Sequence, residues 1–237
     1  MPDHPEIYRS QAAQYDALVS REDYQGHILP ALQKIVALEG LEVAEFGAGT
    51  GRLTRLLAPR VRFIHAFDIS PHMLEEARIT LTRSGRRNWR ARVSDHRHVP
   101  LADASVDLAI SGWSVCYLVV DHPDTWQAEL AKALDEMRRV LRPGGTLILL
   151  ETQGTAVEQP QPPPHLAGYF AYLEGHGFQK TWIRTDYRFE SRQEAESLAR
   201  FFFGDAMVDR ITQNRDGIVL PECTGIWWIG KGTNHDN

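Results

Sequence analysis

The sequence predicts an α/β fold in which helices cover both faces of a mostly parallel sheet. Between residues 41 and 151, five short apolar runs typical of strands alternate with segments of helical periodicity. A glycine-rich turn directly follows the first run, and proline or glycine separates later units. Because parallel neighbouring strands need a crossover, normally a helix, this alternation predicts helices on both sides of one sheet.

The first 39 residues predict two helices. Tyr8 and Tyr15 have a spacing that places them on one face of the first helix. The second helix is predicted from Ile28 to Leu38, and Gly40 ends it.

The first unit of the predicted sheet is a strand, a glycine turn and a helix. Residues 41–46 form the strand, residues 47–51 contain three glycines, and Arg52 begins a helix that Pro59 ends. The glycines permit positive φ and leave no Cβ in the way of a ligand. The turn is therefore a candidate binding loop.

The second unit repeats this layout. Its strand covers residues 61–67 and ends at Asp68, and Ser70 is the predicted N-cap of a helix over residues 71–83. Further predicted elements before residue 151 are strands over 89–93, 106–110 and 146–150, with a helix over 123–141. A turn at Pro143-Gly144-Gly145 is predicted to lead into the last of these strands.

The pattern changes after Glu151. Residues 159–164, Gln-Pro-Gln-Pro-Pro-Pro, exclude a helix or a central strand because proline fixes φ and lacks the backbone donor. Beyond this loop the sequence predicts a helix over 166–174, a strand over 181–189, a helix over 193–203 and a closing strand over 225–230.

Composition excludes several classes of protein. The chain has 237 residues, of which 43% are hydrophobic and 24% charged, so disordered and fibrous classes are excluded and one domain is expected. The net charge of -5 disfavours nucleic-acid binding. The arginine-rich residues 83–92 are interpreted as a solvated face, with a nucleic-acid contact as the alternative.

The sequence also bears on compartment and on cysteine chemistry. No stretch reaches the roughly 18 apolar residues of a membrane span, and residues 1–6 lack the layout of a signal peptide. We therefore expect a cytoplasmic protein that makes no membrane contact. Cys116 and Cys223 are too few and too far apart for a disulfide scaffold or a zinc site, and are predicted to be buried.

Four predicted strand ends carry the candidate binding residues. They are residues 47–51, Asp68, Asp95 and residues 111–113, and in an open α/β sheet such ends meet in one crevice. Asp68 follows the first glycine by about 20 residues, the spacing at which an acid ending the second strand meets ribose hydroxyls. A nucleoside-containing ligand is therefore predicted.

The glycine spacing narrows the choice of nucleoside. The turn is Gly-x-Gly-x-Gly, and Arg52 occupies the position where a dinucleotide fingerprint has glycine or alanine. This departure disfavours NAD. The absence of a Gly-x-x-x-x-Gly-Lys-Ser/Thr loop from the sequence disfavours an ATPase.

Four motifs together resemble those of the class I S-adenosylmethionine-dependent methyltransferases. Residues 43–51 resemble the family's first motif, residues 67–74 its second-strand motif, and residues 103–108 and 139–148 its fourth- and fifth-strand motifs. The resemblance covers residues 41–151. It implies a Rossmann-like, doubly wound sheet of seven strands in the order 3-2-1-4-5-7-6, with the last strand antiparallel.

The resemblance implies a methyl donor, S-adenosylmethionine, and roles for individual residues. Glu45 and the glycine turn are expected to face the methionine part and Asp68 the ribose, with Ile69 and Met73 near the adenine. The implied donor-binding residues are Tyr15, Glu45, Gly47, Ala48, Gly49, Thr50, Gly51, Asp68, Ile69, Met73, Asp95, His96, Ser111, Gly112 and Trp113.

Among these, two groups have more specific expected positions. Asp95, with His96 beside it, is expected at the adenine amino group, and residues 111–113 are expected at the donor sulfur and the acceptor entrance. Tyr15 is expected against the methionine end.

The resemblance also divides the chain, which we expect to form a single domain over residues 1–237. Its expected parts are an N-terminal helical cap over 1–39, a cofactor-binding core over 40–152, an acceptor-side insert and strand over 153–223, and a closing strand and tail over 224–237.

Simpler roles remain open for three of the acids. Asp68 could act as a helix N-terminal acid, Glu45 could be a solvated strand-end acid, and Asp95 has alternatives within the Asp-His-Arg-His run 95–98. This run lacks further ligands at fixed spacing, so no metal site is predicted.

Transfer of a methyl group from a sulfonium is an in-line displacement, which needs good positioning and no obligatory base. A hydroxyl or carbon acceptor would need one, and Tyr117 and His122 are the candidates, although neither is designated catalytic. Aromatic residues after Glu151 predict mainly core packing, with some shaping an apolar pocket for a small organic acceptor.

Other functions remain open: an RNA or protein methyltransferase, or a non-catalytic S-adenosylmethionine-binding protein. The identity of the acceptor and the oligomeric state are not predicted.

Overall fold

The structure is a computed structural model that describes residues 4–232. Residues 1–3 of the predicted cap and residues 233–237 of the predicted tail lie outside this range. The strands of the described part are β1 Glu42–Phe46, β2 Phe63–Asp68, β3 Trp89–Val93, β4 Val106–Gly112, β5 Leu141–Thr155, β6 Gln179–Arg184, β7 Tyr187–Phe189, β8 Thr212–Asn214, β9 Gly217–Leu220 and β10 Glu222–Gly230.

The α-helices lie between these strands and before β1. They are α1 His4–Ser10, α2 Ala12–Val19, α3 Ile28–Ile35, α4 Arg52–Leu57, α5 Pro71–Arg83, α6 Tyr117–Asp121, α7 Trp126–Val140, α8 Ala167–Gly175 and α9 Arg192–Phe203. Among residues 4–232, no helix is both long enough and apolar enough to cross a membrane.

The main sheet confirms the predicted fold class and strand order. Its seven strands run in the order β3-β2-β1-β4-β5-β10-β6. The pairs β1–β2, β1–β4, β2–β3 and β4–β5 are parallel, whereas β10 is antiparallel to both β5 and β6. Since β10 is the seventh strand of this sheet in chain order, the predicted order 3-2-1-4-5-7-6 is correct.

Alternating residues of the central strands supply two separate hydrophobic cores. In β5, Leu147 and Leu149 belong to one core, and Ile148 and Leu150 belong to the other. The first core includes the buried face of α7, and the second includes that of α4. A strand buried on both faces explains the continuous apolar run in the sequence.

The chain passes from α7 into β5 without a loop. The predicted turn at Pro143-Gly144-Gly145 lies inside β5, where Gly144 has a φ of 80° and the pairing with β4 shifts register. From Leu141 to Thr146 β5 advances five residues while β4 advances two, from Val106 to Leu108. The expected turn is therefore an irregular segment within β5 that is larger than a one-residue β-bulge.

The N-terminal cap has three helices where two were predicted. Gln11, with φ -127° and ψ 34°, separates α1 from α2, so Tyr8 and Tyr15 lie on different helices and their predicted shared helix face is wrong. The third helix ends at Ile35 because Val36 is extended, earlier than predicted.

The predicted strand over 181–189 is two strands. The carboxylate of Asp186 accepts hydrogen bonds from Arg184 between them, β6 joins the main sheet, and β7 joins a second sheet of order β7-β9-β8. The strands β8 and β9 were missed. They are too short to show alternation, and Asp216-Gly217, a common hairpin turn, was the available signal.

The small sheet packs against the N-terminal cap rather than against the main sheet alone. Leu18 of α2 shares a hydrophobic cluster with Tyr187 of β7, Leu198 of α9 and Leu220 of β9. The cap and the later insert therefore form one continuous packing unit.

Candidate functional site

A cavity of about 780 Å³ lies at the carboxyl ends of β1, β2 and β4, and residues of α1 and α2 also line it. The predicted convergence of strand ends is confirmed. The predicted site residues that line the cavity are Tyr15, Glu45, Gly47, Ala48, Gly49, Thr50, Asp68, Ile69, Met73, Asp95, His96, Gly112 and Trp113.

Gly51 and Ser111, also predicted as site residues, do not line the cavity. Gly51 has a φ of 84°, and a Cβ there would lie 3.2 Å from Leu81 and 3.4 Å from Ala77 of α5. Ser111 is fully buried in β4, and its hydroxyl has no hydrogen-bond partner among the described residues. Gly51 therefore allows the glycine turn to pack closely on α5.

The other two glycines of the turn have different roles. At Gly47, with a φ of 72°, a Cβ would lie 1.9 Å from Ser114 Oγ and 2.9 Å from His96 Nε2. At Gly49, with a φ of 55°, the nearest atom to a Cβ would be Met73 Cε at 3.6 Å. Gly47 thus admits Ser114, whereas Gly49 leaves space on the cavity side.

Asp68 ends β2 and faces the glycine turn. Its Oδ2 accepts a hydrogen bond from Gly49 N and its Oδ1 one from Ser70 N, each at 2.8 Å. Burial raises the pKa of Asp68, and the backbone donors oppose this. The backbone of Ile69 is a third donor to this carboxylate. Because a carboxylate has about four acceptor positions, Asp68 keeps acceptor capacity for a ligand.

Ile69, the residue after Asp68, is unusually exposed for an apolar residue. Its side chain is 67% exposed and lines the cavity, whereas the side chain of Met73 on α5, which also lines the cavity, is buried. Ser70 caps α5 by accepting a hydrogen bond from Met73 N at 3.2 Å, which confirms the predicted cap. Ile69 therefore offers an uncovered apolar surface directly beside a carboxylate.

Glu45 is not the solvated strand-end acid that one alternative proposed. It is 1% exposed and lines the cavity from β1. Its Oε2 accepts a hydrogen bond from Thr54 Oγ1. Burial, together with the nearby charge of Asp68, raises the pKa of Glu45 to about 7, so this carboxyl changes charge near neutral pH.

Asp95 and His96 lie at another wall of the cavity. Arg97 donates to both Asp95 oxygens, at 2.8 and 2.6 Å, and also pairs with Glu129. These hydrogen bonds lower the pKa of Asp95 to about 2. With the further bond from Arg97 N, three of roughly four acceptor positions on Asp95 are used and one remains.

His96 forms a polar pair that the sequence did not predict. Its Nε2 lies 3.0 Å from Ser114 Oγ, and burial lowers the pKa of His96 to about 4. The imidazole is therefore neutral at physiological pH. Ser114 was missed because only its position after β4 could have indicated it.

Trp113 follows β4 in a strained conformation. Its φ is 51°, a value that is rare for a bulky residue. The guanidinium of Arg52 lies 3.5 Å from the centroid of the Trp113 ring and pairs with Glu22, which also accepts a hydrogen bond from Tyr187 OH at 2.9 Å. This chain of contacts connects the glycine turn to the small sheet.

Arg52 and Glu22 were not predicted as site residues. The signal for Arg52 was its position, since it occupies the place where a dinucleotide-binding loop has a small residue. Glu22 had no local signal because its partner lies in another part of the chain.

Aromatic rings crowd the end of the cavity nearest α1. The rings of Tyr8 and Tyr15 meet at 83° with centroids 5.5 Å apart, and those of Tyr8 and Tyr117 meet at 87° and 5.7 Å. The Tyr8 and Tyr117 hydroxyls lie 2.6 Å apart. His4 and Phe202 stack beside them. We call these five residues the aromatic box.

The two base candidates have different surroundings. Burial raises the pKa of Tyr117 well above its usual range, so the phenol stays protonated near neutral pH. His122 lines the cavity after α6.

Comparison with known proteins agrees with this geometry. A family described as "Methyltransferase domain" matches residues 44–149. Demethylmenaquinone methyltransferase of Desulfitobacterium hafniense is 30% identical over 71% of this chain and 64% of its own length. The malonyl-[acyl-carrier protein] O-methyltransferase of Serratia marcescens is 31% identical over 58% of this chain and 48% of its own length.

Crystal structures show the same fold at lower identity. An S-adenosylmethionine-dependent methyltransferase from Aquifex aeolicus has a TM-score of 0.57 at 18% identity, over 92% of this chain and 96% of that one. The [4+2]-cyclase SpnF also has a TM-score of 0.57, at 19% identity, over 88% and 82% of the two chains. The chain spans about half to two thirds of the length of the curated relatives it matches.

Proposed function

We propose that this chain, which carries a class I S-adenosylmethionine-dependent methyltransferase domain, transfers a methyl group to a small organic acceptor by in-line displacement. When bound, S-adenosylmethionine supplies a methyl group that is activated by a sulfonium. The observation that carries the proposal is Asp68, a buried carboxylate with free acceptor positions beside an open glycine turn.

The surroundings of Asp68 suit an adenosine. A ribose hydroxyl can donate a hydrogen bond to the acceptor capacity of Asp68 that its backbone donors leave unused. The exposed side chain of Ile69 and the buried Met73 provide an apolar surface for the adenine ring. The remaining acceptor position on Asp95 suits the adenine amino group, with the neutral His96 beside it.

The charge of the cavity suits the rest of the donor. S-adenosylmethionine carries a sulfonium and an ammonium against one carboxylate, so it has a net positive charge, which suits the carboxyl groups of Glu45 and Asp68 in the cavity lining. Asp95 also lines the cavity, but Arg97 balances its charge. We assign Glu45 and the glycine turn to the methionine part. Tyr15 and Trp113 then flank the place where the donor's methyl group meets the acceptor.

We also propose the division of labour that the resemblance implies. Residues 40–152 hold the donor, whereas residues 1–39 and 153–223 shape the acceptor side. The packing of α2 against the small sheet supports this division, because it gives both segments one common body beside the cavity.

The chain's own contribution to the reaction is positioning. Holding the nucleophile in line with the methyl group at about 3–3.5 Å removes much of the entropic barrier. Because Tyr8 and Tyr117 stay protonated, the acceptor's own electron pair carries the attack. We assign no general base.

The acceptor is proposed as small because of the size of the cavity. About 780 Å³ lies within the range of small-molecule sites of about 300–1,000 Å³. The relatives carry names for different acceptors, a demethylmenaquinone and a malonyl group on a carrier protein, so they do not identify this one.

A thermal shift assay tests the proposal. A ligand that binds only the native state raises the free energy of unfolding by RT ln(1 + [L]/Kd) and so raises the unfolding temperature. S-adenosylmethionine and S-adenosylhomocysteine are therefore expected to stabilise the protein, and NAD is not. A larger shift with NAD, or none with the other two, would contradict the proposal.

A further inference from the structure

The aromatic box has the geometry of a cation-binding site. Tyr8 meets two neighbouring rings, Tyr15 and Tyr117, at close to right angles, as adjacent walls of a box do. His4 and all three tyrosines line the cavity. Aromatic faces attract a cation through the ring quadrupole, and the attraction grows when the site excludes water.

The cavity offers little to an anionic acceptor. The three arginines that line it, Arg9, Arg52 and Arg97, are each paired with a carboxylate. No lysine among the described residues lines it. An anion entering the box would lose its hydration without gaining an uncommitted cation, which is costly in an apolar site.

Anionic and neutral acceptors also differ in how the charge changes during methyl transfer. With an anionic nucleophile, such as a carboxylate or a thiolate, methyl transfer cancels the sulfonium charge. With a neutral nitrogen nucleophile, the positive charge moves from sulfur to nitrogen and stays within the box throughout. Aromatic rings that attract a cation therefore favour transfer to a neutral nitrogen, because the positive charge stays beside them before, during and after the reaction.

We infer that the acceptor is a neutral amine nitrogen, seated against the members of the aromatic box that line the cavity, His4, Tyr8, Tyr15 and Tyr117, with Phe202 packed behind His4 and Tyr15. This inference rests on the proposed methyltransferase function and specifies its substrate class.

The step balances without a further reactant. The nitrogen lone pair forms the new N–C bond, the S–C bond breaks, and its electron pair returns to sulfur as a neutral thioether. The product is a methylated ammonium, which gives its proton to water at the cavity mouth when it has one to lose. An alcohol would instead need a base before attack. The tyrosine hydroxyls of the box stay protonated, and the other base candidate, His122, lines the cavity but is not part of the box.

The test uses three probes with the same bulky head. Choline is a cation like the ammonium product, 3,3-dimethylbutan-1-ol is its neutral isostere, and 3,3-dimethylbutanoate is an anion. Each is titrated by calorimetry into the full-length protein saturated with S-adenosylhomocysteine. A cation–π contribution of about 1–2 kcal/mol predicts that choline binds about tenfold more tightly than the alcohol, with the anion weakest.

Variants locate the effect in the box. Tyr117→Leu is expected to remove most of the preference for choline, whereas Tyr117→Phe keeps the ring and the preference. Tyr172→Leu is the control, because Tyr172 stacks on His176 away from the cavity lining and its loss should leave the choline-to-alcohol ratio unchanged.

The outcomes separate the two proposals. Failure of S-adenosylhomocysteine to bind contradicts the methyltransferase function itself. Normal binding of S-adenosylhomocysteine overturns only the amine assignment if choline is no tighter than the alcohol, if choline does not bind, if the anion binds most tightly, or if Tyr117→Leu keeps the preference.

Discussion

The glycine turn and the aromatic box line the same cavity but hold their atoms in place by different means. In the turn, backbone groups fix the conformation: Ala48 N donates to Phe67 O, Gly49 N donates to Asp68, and Gly47 has a positive φ. In the box, side chains from distant elements hold one another through ring contacts. Backbone-determined geometry follows from a short motif, whereas ring packing depends on the whole fold.

The largest expected effect comes from breaking the backbone-determined region at Gly47. A Cβ in Gly47→Ala would overlap Ser114, at a backbone φ that side chains rarely adopt. We expect loss of donor binding and a fall in the free energy of unfolding of about 3 kcal/mol or more, from φ strain and overpacking together. Denaturant titration and calorimetry with S-adenosylhomocysteine measure both.

Gly85→Ala is the matched control for this change. Gly85 has the same φ of 72°, but a Cβ there meets nothing within 4 Å. The free energy of unfolding of Gly85→Ala should therefore fall by only about 1 kcal/mol, because of the unfavourable φ alone, and donor binding should be kept. Equal losses in the two variants would show that the contact with Ser114 does not matter.

The next largest effect is expected for Asp68→Asn, which replaces one acceptor oxygen of the carboxylate with an amide nitrogen that donates. Loss of a hydrogen bond to a charged group costs about 1–3 kcal/mol, so S-adenosylhomocysteine is expected to bind roughly 5- to 150-fold more weakly. Asp107→Asn is the control: Asp107 also accepts a backbone hydrogen bond, from Glu42 N, but lies at the start of β4. Unchanged affinity in Asp68→Asn would place the ribose elsewhere.

A change at Tyr187 is expected to affect the stability of the protein but not its donor binding. Tyr187→Phe removes the hydrogen bond that Glu22 accepts from the small sheet, which should lower the free energy of unfolding by about 1–2 kcal/mol. The turn itself is untouched, so donor affinity should stay within about twofold. A large loss of donor affinity with little loss of stability would mean that this contact positions Arg52 for ligand binding.

The smallest expected effect is a pH dependence of donor binding from Glu45. Its raised pKa of about 7 leaves it mostly protonated at pH 6 and mostly ionised at pH 7.5, and the cationic donor favours the ionised form. We expect affinity to rise several-fold over this interval. The donor's amino group, with an ordinary α-amino pKa of about 7.7–8.0, is still mostly protonated at pH 7.5.

The variant Glu45→Gln cannot ionise, so it should show a flatter profile from calorimetry at the two pH values. The same slope in both proteins would assign the pH dependence to another group.

The donor side could be predicted from sequence because its signals are local. The glycine spacing, the acid after β2 and the Ser70 cap each depend on neighbours within a few residues. The prediction for Glu45 was incomplete: its position was clear, but its burial, which raises its pKa, depends on the packing around β1, and the hydrogen bond from Thr54 that opposes this rise comes from α4.

The acceptor side could not be predicted to the same degree. Tyr8 and Tyr15 were singled out on the expectation of one helix, but they lie on two helices separated at Gln11, and their rings meet edge to face. Phe202 joins them from α9 near the other end of the chain. No periodicity in the sequence indicates contacts between elements so far apart.

The antiparallel strand β10 has a consequence for how this chain folds during synthesis. It inserts between β5 and β6, both of which leave the ribosome earlier, and Trp227 then stacks on Phe170 with ring centroids 4.7 Å apart. Strands β1 to β5 can pair as they emerge, whereas β6 waits for β10 with its edge uncovered. A stalled nascent chain ending before β10 therefore presents an open sheet edge, the kind of surface that chaperones bind and that otherwise aggregates.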